Sequence, residues 1–153
     1  MMINKYILRF SFLLLAFPIF SFSCGERQKV LDLKVFKITV PKDWIYKKQK
    51  GIDSFVGEIS TGNSSLSFDY STMGYASFGP DEAKLHHFAI DTSEKFISKT
   101  VWPKTPGKGT TGIYIRSRVS SLSFNLDGSN LSQKEQDEAL GAFKTLILTP
   151  QKN

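Results

Sequence analysis

The chain has 153 residues, a formal charge of +6 and a single cysteine. That length suits one ordinary domain rather than two, and one cysteine excludes an internal disulfide framework. The charge excess is modest: it suits acidic surfaces such as phosphorylated glycans or lipid headgroups, and does not by itself indicate nucleic acid.

Residues 1–23 read as a lipoprotein signal peptide. Lys5 and Arg9 precede an apolar stretch from 10 to 22, broken by Ser11, Pro18 and Ser21, and no acid occurs before Glu26. The stretch is shorter than the roughly 20 apolar residues needed to cross a bilayer. A charged start, a short apolar run and the small-x-small pattern Ser21-Phe22-Ser23 are the marks of a secretory leader. "SFSC" resembles a lipobox, so Cys24 is expected to open the mature chain and to carry two or three acyl chains of the palmitate class. Each buried methylene contributes about 0.8 kcal/mol, so several chains together hold firmly. The competing reading is ordinary cleavage nearby, which leaves Cys24 a free thiol. Gly25 gives no retention signal for the inner membrane, which favours the outer one. Removing Lys5 and Arg9 with the leader lowers the charge from +6 to +4 and leaves 130 residues. Export from the cytoplasm argues against a nucleic-acid partner.

Residues 24–32 are expected to be the lipidated cysteine and a tether, and residues 33–150 the folded domain. Residues 33–40, "LKVFKITV", form the first predicted strand, with Phe36, Ile38 and Val40 on one face and Pro41 at its end. Trp44 follows as a core lid, and residues 47–53 as a charged turn. "SFVGEIS" and "SSLSFDY" predict a hairpin about Thr61-Gly62-Asn63. Its second strand turns Leu66, Phe68 and Tyr70 one way and Ser65, Ser67 and Asp69 the other.

Residues 71–82 form a long irregular segment holding Tyr75 and Phe78, and long loops of this kind are functional or mobile. Strands are predicted at 84–90 and 95–102 with a turn between them. A basic loop follows at 103–112, then strands at 113–119 and 121–128. Ser132 and Glu135 supply an S-x-x-E capping box, so a helix carrying Ala139, Leu140 and Phe143 begins there. Residues 145–149 close the chain as a strand. Strands followed by a helix packed on the sheet indicate an α+β fold.

Several pieces, "ITVPKDWIY", "GIDSFVGEI", "LSFDYS", "TTGIYI" and "NLSQKEQDEALGAFKTLIL", together resemble small bacterial lipoproteins with the PsbP-like fold. The resemblance covers most of 33–149 and rests on structural motifs. It implies an antiparallel sheet flanked by helices, a PsbP-like α/β/α sandwich. It also implies a binding or accessory module; with the Cys24 seam, the strand-rich body and no catalytic constellation, the expected role is non-catalytic, with an envelope protein or a glycan as partner.

No cofactor motif occurs. His86 and His87 are adjacent, so on a strand they face opposite ways and do not readily share a metal. A hydrolase or metal-dependent enzyme would have to use the region of His86, His87 and Asp69, yet G-x-S-x-G is absent and no metal-ligand spacing is present. Better candidates for contact with a ligand or partner are Tyr75 and Phe78 beside Arg116 and Arg118. Lys104 and Lys108 join the two arginines if the basic loop and strand lie together. The alternative is that the aromatics fold back as a lid and the charges solvate a surface.

Overall fold

The computed structural model describes residues 27–149, apart from 75, 81 and 82. Cys24, the leader and Tyr75 therefore lie outside the described residues. The chain order is β1 (Gln28–Asp32), β2 (Phe36–Pro41), β3 (Ile45–Lys48), β4 (Phe55–Ser60), β5 (Ser65–Ser71), β6 (His86–Thr92), β7 (Phe96–Pro103), β8 (Thr110–Ser117), β9 (Ser123–Ser129), α1 (Gln133–Phe143) and β10 (Ile147–Leu148). A small antiparallel sheet has the order β1-β2-β10, and a large antiparallel one runs β3-β4-β5-β9-β8-β7-β6.

This corrects the expected fold class. The chain is mainly β with two antiparallel sheets, and α1 is the one helix among the described residues, so no α/β/α sandwich with helices on both faces is built. The reason lies in the period of the sequence. Only residues 133–143 follow a capping box with apolar side chains at helical spacing, whereas the other segments alternate with the strand period of two. The second layer is therefore assembled from α1 beside a sheet, not from helices.

Part of that sheet comes from the stretch expected to be tether. Residues 28–32 pair antiparallel with β2, Val30 opposite Thr39 and Leu31 opposite Ile38. The predicted strand at 33–40 is split to allow this. Lys34 takes a left-handed φ of 68°, its amide donates to Asp32 Oδ1 (3.3 Å), and Lys37 Nζ closes on Asp32 Oδ2 at 2.7 Å. Asp32 thus caps the turn, as short acidic side chains do.

Packing follows the alternation. Phe36, Ile38 and Val40 point from β2 into the core, and Phe36 meets Phe68 edge-on and Phe124 at a tilt, with centroids 5.0 Å away in each case. Ile59, Leu66, Phe68, Tyr70, Ile113, Ile115, Phe124 and Leu126 supply the large sheet's side of the core, and Ala139, Ala142 and Phe143 the helix's. Trp44 is fully buried, as its place after Pro41 suggested.

Polar contacts fix the start of α1 to the β4–β5 turn. Ser132 N donates to Glu135 Oε2 (3.0 Å) and Glu135 N to Ser132 Oγ (3.3 Å), completing the capping box. The same carboxylate accepts from Thr61 Oγ1 (2.7 Å) and Ser64 Oγ (3.2 Å). Burial opposes its charge, but the bonds from Thr61, Ser132 and Ser64 prevail and hold the Glu135 carboxyl down at about 2. Among the described residues no helix is long and apolar enough to cross a membrane.

Candidate functional site

The face of the large sheet turned away from α1 is unusually polar. Strand register sets Asp69, Asn125, Tyr114 and Lys99 side by side across β5, β9, β8 and β7. One row on, Asp127 lies opposite Gly112, and in the other direction Ser123 lies opposite Arg116. Tyr114 is only 2% exposed and Lys99 only 4%. Burial, and then the neighbouring Asp127 carboxylate, push the Tyr114 hydroxyl well above its usual range. Burial likewise raises the Asp127 carboxyl, with the Tyr114 hydroxyl acting in the opposite sense. The tyrosine accordingly keeps its proton at neutral pH and is a donor there, not a nucleophile.

The loop between β5 and β6 closes over this row. Ala76 N donates to Ser123 Oγ (3.1 Å). Gly79, at a φ of +72°, sits directly on the Tyr114 ring, where a Cβ would strike it. Phe78 is half-buried, with the Arg116 guanidinium 4.6 Å and Lys99 Nζ 5.5 Å from its ring centre. Lys99 Nζ also lies 5.0 Å from the Phe88 ring centre, so it is bracketed by two aromatic faces. Phe78 and Arg116 therefore lie together, with Phe78 folded back as a lid.

The remaining candidates disperse. Arg118 falls beyond the end of β8 and binds the β6–β7 turn, its guanidinium donating to Ser93 O (3.0 Å) and its amide to Lys95 O (2.8 Å). Lys104 and Lys108 precede β8 while Arg116 and Arg118 lie at its far end, about 24 Å along a strand of that length, so no single basic patch forms. His86 and His87 do face opposite ways. His86 is buried, whereas His87 is exposed and lies against Trp102 with centroids 5.6 Å apart. Asp69 is on β5, four strand spacings from β6, or about 19 Å. Among the described residues no group of three His, Cys, Asp or Glu is placed to hold a metal.

One feature was missed from sequence. The second layer covers β4, β5, β9 and β8, reaches β7 at Phe96 and leaves the rest of β7 and β6 as an arm. Between that arm and the helix lies a groove of about 580 Å³. Its floor holds Trp102, Ile113, Leu140 and Phe143, and Thr100, Asp91 and Lys144 supply polar groups. A second hollow of about 330 Å³ shares Asp91, Ser98, Ile115 and Leu146 with it and runs on past β10. A signal for the groove was present in the strands. Along β6 and β7 the face aligned with the core carries the small or polar Ala89, Asp91, Ser98 and Thr100 between Phe96, which packs on the edge of the core, and Trp102, while the opposite face carries Phe88, Ile97 and Val101.

The chain matches no protein-family model and no characterised protein.

Proposed function

We propose that this protein is a lipid-anchored lipoprotein of the cell envelope whose body is a non-catalytic binding module for an envelope protein or glycan. The observation that carries this reading is the junction at the start of the body. Cys24, at the end of a leader-like run, stands four residues ahead of β1, which begins at Gln28. Four extended residues reach about 14 Å, so an acylated Cys24 would hold the body against the membrane surface.

The groove between α1 and the β6–β7 arm supports the binding half of the reading. It joins apolar side chains to a few polar groups, the usual make-up of a ligand cleft. The buried Tyr114 row, in contrast, is closed by its own loop. The histidines and Asp69 are too dispersed to act as one centre.

The anchor is tested by intact mass of the membrane-fraction protein from a Gram-negative host, beside a Cys24→Ser variant. The expected product begins at Cys24 and carries diacylglycerol and an acyl chain, and the variant loses both the lipid and membrane retention. An unmodified soluble product cut near Ser23 would contradict the reading.

A further inference from the structure

Where β6 begins, three separate stretches of chain meet around a pocket of about 410 Å³. Lys84 and His86 come from β6 and its approach, Lys104, Lys108 and Gly109 from the β7–β8 loop, and Asn130 from the link between β9 and α1. Among the described residues the lining thus holds three lysines and no carboxylate.

The wall is pinned by its own backbone. Lys104 N donates to Leu85 O (2.9 Å), and Lys104 Nζ to Ala83 O (2.8 Å). Gly109 N donates to Asn130 Oδ1 (2.9 Å), while Asn130 N returns a bond to Gly109 O (2.7 Å). Gly109 adopts a φ of +116°, and a Cβ there would lie 2.9 Å from His86 Nε2, so glycine lets the loop close on the imidazole. A basic loop held this firmly does not behave as a freely solvated charge run.

His86 supplies the second observation. The residue is 6% exposed, and its Nε2 accepts from Thr110 N at 3.1 Å. The proton of the neutral ring must then sit on Nδ1. That atom is buried with no hydrogen-bond partner among the described residues. Buried donors ordinarily have an acceptor, so a lining residue of the pocket holds a spare N–H behind the pocket surface.

We propose that this pocket is an oxyanion site that takes a phosphate group. Two or three lysines match the several acceptor oxygens and the charge of such a group. The phosphate comes either from a lipid headgroup or from a soluble phosphorylated molecule. The site is distinct from the groove and from the Tyr114 row, and it does not depend on acylation of Cys24.

The test uses the full chain with Cys24→Ser, and with Lys84→Ala and Lys108→Ala added together. Inorganic phosphate is titrated while the backbone amides of 104–110 and the His86 ring nitrogens are followed by NMR. Saturable shifts confined to these groups are expected, with binding weakened at least about tenfold in the double variant. Both lysines are exposed, so an unchanged amide spectrum elsewhere would verify the fold. Flotation with phosphatidylcholine vesicles, with and without phosphatidylglycerol, separates the sources. Anionic-vesicle binding that needs Lys84 and Lys108 assigns the phosphate to a headgroup, and phosphate binding without it assigns a soluble ligand. Absence of saturable shifts, or affinity unchanged in the double variant, would overturn the proposal.

Discussion

The two halves of the large sheet obey the same strand alternation but turn different mixtures of side chain toward α1: continuous apolar residues on one, small and polar residues between two aromatics on the other. From β4 across β5 and β9 to β8, that face carries Ile59, Leu66, Phe68, Tyr70, Leu126, Phe124, Ile113 and Ile115, and a second layer covers it. Across β7 and β6 the same face carries Thr100, Ser98, Ala89 and Asp91 between Phe96 and Trp102, and beyond Phe96 a groove opens. Hydrogen bonding does not decide how far the second layer extends, because the ladder runs on through β6 without interruption. One half is therefore the core that makes the fold, and the other is a surface left for something else.

Mutations should break this contrast in order of burial. Phe36→Ala removes the ring that joins β2 to Phe68 and Phe124, so it should lower unfolding free energy by about 3–5 kcal/mol, read from urea midpoints at constant slope. Glu135→Gln should come next. Its carboxylate is held near 2 by donors from both α1 and the β4–β5 turn, against an ordinary value of 4.5. A depressed folded value means the stabilisation is complete above about 4.5 and is lost as pH falls toward 2. The substitution should lower stability at pH 7 by about 1–2 kcal/mol and flatten the acid side of the stability curve between those limits. An unchanged curve would show that Glu135 does not tie the helix to the turn.

Smaller effects should mark the loop-capped face and the arm. Arg116→Ala loses one partner of the Phe78 ring, and about 0.5–1 kcal/mol is expected. Hydrogen exchange should show faster opening at amides 76–79 with the core amides unaltered. Thr100→Trp fills the groove from an uncovered strand, so stability should stay within about 0.5 kcal/mol while groove occupancy is lost.

Local structure was legible where one residue type repeats with one period. The β4–β5 hairpin, the capping box of α1 and the inward set Phe36, Ile38 and Val40 stand where the sequence places them. The layering was not legible. "QKVLD" shows no clear alternation, with Val30 exposed, and it becomes a strand only because β2 offers an edge. The resemblance to helix-flanked lipoproteins pointed the same wrong way, since motifs such as "PKDW" mark turns and strand ends rather than layers.

The side chains around the Tyr114 row and the two hollows divide along similar lines. Phe78 and Arg116 could be named from composition and strand face. Lys99 and Asp127 could not, because they meet Phe78 and Tyr114 only through pairing of strands distant in sequence. Arg118 was grouped with Arg116 by continuing the alternation past Ser117, where β8 in fact stops. The lysine pocket escaped for the same reason as the groove: its walls come from three separate segments.

The most direct test of the arm as a binding surface is photocrosslinking in intact cells. A benzophenone side chain would replace Thr100 in the groove, or Lys48 on β3 at the opposite side of the sheet. Our account predicts a discrete adduct with an envelope protein or glycan from position 100, lost when groove residue Ser98 is also changed to Trp, and none from position 48. No adduct from position 100, or equal adducts from both positions, would contradict it.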